Sequence, residues 1–123
     1  MARFDHLAMP VSDWRRSRDW YVETLGLTIE FELPERETVA LQDENDFTLF
    51  LAQGVLPAAP DQFAFYFQVA DVHRSHAELC KRGLRFNHPP QSVFWGFGCE
   101  LPDPDGYRIR LWDERSMNAK QPA

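Results

Sequence analysis

The sequence predicts an α+β protein built from two successive units, each with the order β-α-β-β-β. Stretches with alternating apolar and polar residues, typical of half-buried strands, are interrupted twice by a segment with the apolar spacing of a helix. Both helical segments follow an aspartate that can cap them, Asp13 and Asp71, and both end at a glycine, Gly26 and Gly83. The chain has 123 residues, which is enough for one domain with a hydrophobic core.

The first unit is predicted over residues 4–52. A strand over residues 4–11 is expected to lie at a sheet edge or to stop pairing at Pro10, which has no N–H to donate. Ser12-Asp13 then offers a cap for a helix over residues 14–25, where apolar residues recur every three or four positions. Polar turns separate three further strands, which are predicted at residues 27–33, 38–42 and 47–52.

A Gly/Pro-rich linker over residues 53–62 precedes the second unit, residues 63–113. The elements predicted for this unit are strands at 63–69, 84–87, 93–101 and 107–112 and a helix at 72–82. Residues 88–90, His-Pro-Pro, are expected to break the second of these strands. Residues 114–123 form a tail, in which 116–123 show no periodicity and are expected to be mobile.

The two units also match each other in sequence, which indicates an internal repeat. Three pairs of matching segments occur in the same order: Val11-Ser12-Asp13 with Val69-Ala70-Asp71, Arg16-Ser17 with Arg74-Ser75, and Gly26-Leu27 with Gly83-Leu84. A repeat of this length is typical of two small units that bury their apolar faces together rather than alone.

The last predicted strand follows an Asp-Pro-Asp-Gly turn at residues 103–106 and has two unlike faces. One face carries Tyr107, Ile109 and Leu111, and the other carries Arg108, Arg110 and Trp112. The second face has two interpretations: it is a solvated strand face, or it lines a concave ligand surface.

Composition excludes several classes of partner. The formal net charge is −6, which disfavours nucleic acid, because binding to nucleic acid depends on Lys and Arg against phosphate. No apolar run reaches the ~18 residues of a membrane span, and the first residues lack the pattern of a signal peptide. The two cysteines, Cys80 and Cys99, have no CxxC or metal-binding spacing. We therefore expect reduced thiols in a cytoplasmic protein without nucleic-acid or membrane partners.

Several motifs together resemble a known family. They are His6-Leu7, residues 20–27 (WYVETLGL), Val69-Ala70-Asp71-Val72, Trp95-Gly96 and Asp103-Pro104-Asp105-Gly106. In these motifs the sequence resembles the vicinal oxygen chelate superfamily, the glyoxalase/bleomycin-resistance/extradiol-dioxygenase group, over residues 4–113. The resemblance implies two βαβββ modules that form a curved mixed sheet around a cavity, most often within a homodimer.

The resemblance also implies where a metal would bind. Metalloenzymes of the family carry His or Glu ligands at four cavity-facing positions, which correspond here to His6, Phe50, Ala64 and Arg110. A catalytic metal needs about three protein ligands, and Arg110 adds a fixed positive charge. We therefore expect neither metal nor cofactor at these positions. His73 and His76, on the second helix, are not expected to replace the missing ligands.

Strand alternation predicts which side chains face the cavity that the resemblance implies. The predicted ligand-binding residues are His6, Phe50, Tyr66, Trp95, Arg108, Arg110 and Trp112, and Phe97 is expected beside Trp95. Aromatic rings with a few polar groups are typical of small-molecule pockets. In the alternative interpretation the rings fill a closed barrel, and Arg110 pairs with an acid such as Glu100 or Glu32.

The favoured function is a metal-free protein that binds or sequesters a small aromatic or charged molecule, as the bleomycin-resistance branch does. The alternative is an enzyme of the superfamily, similar to a lyase, isomerase or dioxygenase. Such an enzyme would use His6 or Tyr66 as acid or base, or hold a metal at positions other than those above. His6 is the candidate catalytic residue, and apart from Tyr66 the sequence assigns no other residue to catalysis. A third interpretation is an interaction module with a vestigial cavity.

Overall fold

The computed structural model describes residues 1–120. The chain forms two compact units, Met1–Ala58 and a second that begins at Ala59. Each unit contains one four-stranded mixed sheet. Its strands and first helix follow the order β-α-β-β-β along the chain, and the second unit ends with an additional helix. The predicted α+β fold class with two βαβββ modules is therefore confirmed.

The elements of the first unit are β1 (His6–Val11), α1 (Trp14–Leu25), β2 (Thr28–Leu33), β3 (Thr38–Gln42) and β4 (Thr48–Gln53). The strand order is β1-β4-β3-β2, and only the β1–β4 pair is parallel. Asp13 caps α1 as predicted, because its carboxylate accepts the backbone N–H of Arg16 at 3.2 Å. Pro10 lies in β1, which is an edge strand of this sheet.

The elements of the second unit are β5 (Ala64–Gln68), α2 (Val72–Lys81), β6 (His88–Val93), β7 (Gly96–Pro102), β8 (Arg108–Trp112) and α3 (Glu114–Lys120). The strand order is β5-β8-β7-β6, and the β5–β8 pair is parallel. Asp71 caps α2 by accepting the N–H of Arg74 at 3.0 Å. None of the helices among residues 1–120 is long and apolar enough to cross a membrane.

The predicted strand at 84–87 and its break at 88–90 are wrong. The strand, β6, begins at His88 and contains Pro89 and Pro90. It lies at the edge of its sheet, and its pairing with β7 shifts register between His88 and Gln91. An edge strand with an irregular register accommodates prolines, because their missing N–H groups leave no ladder bond unmade. The next strand, predicted at 93–101, begins only at Gly96, after a turn.

The expectation of a mobile tail is wrong for residues 116–120, which belong to α3, and residues 121–123 lie outside the described part of the chain. Asp113 starts this helix, because its carboxylate accepts the N–H of Ser116 at 2.6 Å. Met117 then packs against Gly96, and its sulfur lies 2.1 Å from the position that a Cβ would take there. A helix of this length has too few residues for its periodicity to be read from the sequence.

The alternation predicted for the last strand is confirmed by burial. Tyr107, Ile109 and Leu111 are at most 2% exposed, whereas Arg108 and Arg110 are partly exposed. The buried face of this sheet packs against α2, which contributes Val72 and Leu79 to the core. The core of the first unit includes Met9, Val11, Trp14, Tyr21, Leu27, Val39, Leu41, Leu49 and Leu51.

Candidate functional site

Three neighbouring strands of the second unit bring one polar cluster together. The parallel β5–β8 pair places Tyr66 opposite Arg110, and the antiparallel β7–β8 pair places Glu100 opposite the same arginine. Side chains at paired positions share a face, so these three lie side by side, opposite the buried Ile109 face. Arg108 lies two residues earlier on this face of β8.

Glu100 is the centre of this cluster. Its side chain is almost fully buried, yet it accepts three hydrogen bonds: from Nδ2 of Asn87 at 2.7 Å, Nη1 of Arg108 at 3.0 Å and Nε of Arg110 at 2.9 Å. Burial by itself would raise the pKa of Glu100, but the bonds from Asn87 and Arg110 and the two guanidinium charges outweigh it. The pKa of this carboxyl therefore lies below its ordinary value, and Glu100 is ionised at neutral pH.

Arg110 is held on two sides and surrounded by rings. Its Nη1 donates to the hydroxyl of Tyr66, and its guanidinium carbon lies 5.3 Å from the ring centres of Tyr66 and Phe94 and 5.7 Å from that of Trp95. These distances allow cation–π attraction. Burial tends to lower the pKa of Arg110, but the bonds to Glu100 and Tyr66 raise it above the ordinary value. The arginine is thus a permanently charged, fixed group.

Trp95 is positioned by a glycine. It lies in the turn between β6 and β7, and its ring packs edge-on against Tyr66 at 5.2 Å. A Cβ on Gly98 would lie 2.4 Å from this indole and 2.2 Å from the backbone oxygen of Leu111, which is closer than real Cβ atoms approach. The ring and the backbone oxygen thus occupy the space that a side chain at position 98 would need.

Phe97 was expected beside Trp95, and this expectation is wrong. Its ring lies 5.7 Å from that of His73 on α2, so it belongs to the helix side of the sheet. Strand alternation begins only at Gly96, after the turn that contains Trp95, so the two aromatic residues do not share a face. Trp112 is partly exposed and lies opposite Gln68, at the end of the same face as Arg110.

The Arg108 guanidinium binds other residues of the second unit. Its Nε donates to the backbone oxygen of Asp61 at 2.6 Å, and its Nη2 lies 3.8 Å from the Asp61 carboxylate. With the bond to Glu100, this arginine ties the segment before β5 to β7. Its role here is mainly structural, although its side chain is 37% exposed.

The two predicted residues of the first unit, His6 and Phe50, lie together. Their ring centres are 4.9 Å apart, and Phe31 packs edge-on against Phe50 at 5.6 Å. The His6 side chain is 48% exposed, and its Nδ1 lies 2.8 Å from the carboxylate of Asp5. A carboxylate on Nδ1 fixes the imidazole so that Nε2 is directed away from this partner.

The residues at the family's ligand positions do not fit a metal. Phe50 and Ala64 have no donor atom, and Arg110 is a cation whose nitrogens all carry hydrogen. Only His6 can ligate. Within residues 1–120, no three or more His, Cys, Asp or Glu side chains are grouped to hold a metal. His73 packs against Phe97 and His76 against Phe86, so neither joins a larger ligand set.

Sequence reasoning found most of the cluster and missed part of it. Of the alternative interpretation, the pairing of Arg110 with Glu100 is present, while Glu32 instead accepts from Arg18 at 2.7 Å. Neither Asn87 nor Phe94 was predicted as a site residue. Both were assigned to predicted strands, 84–87 and 93–101, but they lie in connections, so the alternation applied there was wrong. The signal for Glu100 was that it is the only charged residue in residues 93–101.

The sequence model of the Glyoxalase/Bleomycin resistance protein/Dioxygenase superfamily matches residues 3–111. This match covers nearly the whole chain, so the protein belongs to that superfamily. A comparison with curated proteins finds no match.

Solved structures share the fold. A possible glyoxalase from Bacillus cereus superposes with a TM-score of 0.77 at 21% identity, over 90% of this chain and 98% of that chain. TnmS3, an antibiotic binding protein from a Streptomyces species, gives 0.76 at 26% identity, over 92% and 96%. Lactoylglutathione lyase from Agrobacterium tumefaciens gives 0.73 at 15% identity, over 94% and 96%. The first and third show the fold alone.

Proposed function

We propose that the protein binds and sequesters a small aromatic or charged molecule without a metal. The ligand contacts the arginine–aromatic face of the second unit, defined as Tyr66, Phe94, Trp95, Arg108, Arg110 and Trp112. The observation that carries this proposal is the state of Arg110, which stands at a family ligand position and is held by a buried carboxylate among three rings. A ring-lined surface with one fixed charge suits a small planar ligand.

The relatives support a binding role without deciding it. TnmS3, described as an antibiotic binding protein, is 26% identical to this chain over 92% of its length. Among the structures compared above it has the highest identity. In the first unit, taken by itself, His6 and Phe50 present an imidazole and a ring at 4.9 Å from each other, and we propose them as a separate ligand-contacting pair of that unit.

The test is a thermal-shift screen of small aromatic molecules with chelator present. We expect at least one compound to raise the melting temperature, because binding to the folded state stabilises it by mass action. Arg110→Ala and Trp112→Ala should abolish that shift. Arg85→Ala, an exposed arginine of the same unit outside the face, is the matched control and should keep it. A shift that survives in both site variants, or that requires added metal, contradicts the proposal.

A specific observation favours a second candidate, an enzyme with His6 as general base. The contact between Asp5 and Nδ1 of His6 leaves Nε2 as the nitrogen that can accept a substrate proton. In the other version of this interpretation, which is confined to the second unit, Tyr66 is the acid, since its hydroxyl accepts from Arg110 and retains its own proton to donate. Mass spectrometry of a bound hit after incubation separates the two functions: an enzyme yields product that His6→Ala loses, while a binding protein returns the compound unchanged.

We also infer a homodimer in the cytoplasm. The first unit exposes large apolar side chains at two places, Ile29 and Phe31 on the edge strand β2, and the stacked pair Phe4 and Phe47 just before β1 and β4. Exposed apolar side chains of this kind are typical of interaction surfaces. Cys80 and Cys99 are both free thiols, which suits a reducing compartment.

A further inference from the structure

The polar groups at the arginine–aromatic face are of two kinds: a hydrogen-bond acceptor that is buried beneath the face, and donors that are directed toward a ligand. The acceptor at its centre is Glu100, which is 3% exposed and already receives bonds from Asn87, Arg108 and Arg110. These three donors and its burial leave a ligand little access to this carboxylate. Leaving a buried charged group without its partner is costly, so we expect these bonds to persist when a ligand binds.

The groups directed at a ligand are donors. The Tyr66 hydroxyl accepts from Arg110, so its own proton is available to another acceptor, and Tyr66 is 48% exposed. Nη2 of Arg110 has no hydrogen-bond partner within residues 1–120, and neither do the indole N–H groups of Trp95 and Trp112. An indole nitrogen and a guanidinium can only donate. The face thus offers at least four N–H or O–H groups of four residues, with Trp112 at its end, and the side-chain acceptor left at its centre is the second lone pair of the Tyr66 hydroxyl.

Further side-chain acceptors lie around this face: Gln91 on the edge strand β6, opposite Gly98, and one residue at each end of β8. The Asp61 carboxylate lies at one end, 3.8 Å from Nη2 of Arg108, and Gln68 lies at the other, opposite Trp112. The three rings nearest the centre already contact the internal cation Arg110. A cationic ligand at the centre would meet the like charge of Arg110 and a single acceptor, the Tyr66 hydroxyl, whereas a carboxylate or carbonyl oxygen would meet several donors.

We propose that the arginine–aromatic face selects planar aromatic ligands that carry an acceptor oxygen, foremost an aromatic carboxylate, over aromatic cations. The ring of the ligand packs on Trp95 and Tyr66, and its oxygens accept from Arg110 Nη2 and the Tyr66 hydroxyl. This inference rests on the proposed function and specifies its ligand class.

The experiment compares two probes with the same ring system by calorimetry, with chelator present and near neutral pH. One probe is 2-naphthoate, and the other is 2-naphthylmethylamine, which is protonated under these conditions. We expect 2-naphthoate to bind at least about tenfold more tightly, the effect of one charge-assisted hydrogen bond. Tyr66→Phe, at an exposed position that tolerates the change, should weaken 2-naphthoate by about tenfold and leave the amine unchanged. Arg85→Gln is the control and should bind as the wild type does.

The possible outcomes distinguish a failure of this inference from a failure of the proposed function. If neither probe, nor any other aromatic molecule in the screen, binds, the proposed function itself is overturned. If both bind equally, or the amine binds more tightly, the binding function stands and the selectivity inference is overturned. A preference for 2-naphthoate that is the same in Tyr66→Phe and in Arg110→Gln also overturns it, because the donors named here would then not be its cause.

Discussion

A single buried carboxylate organises the polar side of the second unit. Glu100 joins β6 to β8 by accepting from Asn87, just before β6, and from two arginines of β8. A buried ion pair is not by itself evidence of high stability, but breaking one leaves an uncompensated charge. Glu100 therefore holds the orientation of Arg110 on which the binding proposal depends.

We expect Glu100→Gln to lower the free energy of unfolding by about 3 kcal/mol near neutral pH, and this difference to depend on pH. The folded-state pKa of Glu100 lies below the ordinary value of 4.5, so its stabilising effect is present above that value and is lost as pH falls through the folded pKa. The gap between wild type and variant should therefore be constant at higher pH and narrow in acid. Urea unfolding over this pH range measures it, and a gap that stays constant into acid contradicts the role assigned to Glu100.

At the scale of the elements, β7 depends on a position without a side chain. We expect Gly98→Ala to destabilise the protein by about 2 kcal/mol, because the new methyl group would lie 2.2 Å from the Leu111 backbone oxygen on β8 and 2.4 Å from Trp95. Displacement of the indole should also change the tryptophan fluorescence spectrum. The control is Gly54→Ala, where the nearest atom is 4.0 Å away. Equal stability of the two variants would show that β7 and Trp95 are not packed as described.

Asp113 links the end of β8 to two helices. Its side chain is buried and accepts the N–H of Val72 at the start of α2 and that of Ser116 in α3, both at 2.6 Å. Burial would raise the pKa of Asp113, but these bonds outweigh it and hold the pKa below its ordinary value. The carboxylate is therefore ionised and caps both helices at neutral pH.

We expect Asp113→Ala to cost about 3 kcal/mol, because two helix N–H groups lose their acceptor. Asp71→Ala removes one exposed cap from α2 and should cost about 1 kcal/mol, so it serves as the matched comparison. Thermal unfolding followed by circular dichroism measures both. Similar losses for the two variants would mean that Asp113 does not support a second helix.

The elements that the sequence failed to predict share a physical cause. Alternation and capping identified α1, α2 and most strands, because each of these signals is local. The position of β6 depended on its being an edge strand, and α3 depended on Asp113 and on contact with Gly96. Those are tertiary facts, which single-sequence patterns do not contain.

At the scale of the whole molecule, two copies of one fold carry different chemistry. The equivalent faces hold an exposed His6–Phe50 pair in the first unit and two arginines bound to one buried carboxylate in the second. The internal repeat and strand alternation predicted which residues occupy these faces. They could not decide whether Arg110 is paired, because that depends on the register of β7 against β8.

We expect the protein to elute as a dimer with twice the mass of the 123-residue chain. Burial of exposed apolar residues such as Phe31 and Ile29 is the driving force. Light scattering after size exclusion measures the mass. Phe31→Glu should shift the mass toward that of the monomer if this surface forms the dimer. Val55→Glu, at an exposed residue outside the strands, is the control and should not shift it. A wild-type protein that is monomeric at all concentrations contradicts the dimer.

The central claim is that an arginine–carboxylate pair has replaced the metal site of the superfamily. The most direct measurement is elemental analysis of protein purified without a histidine tag and without chelator. Our account predicts far less than one metal ion per chain and ligand binding that chelator leaves unchanged. Close to one zinc, nickel, manganese or iron per chain would contradict it and would give the enzyme interpretation precedence.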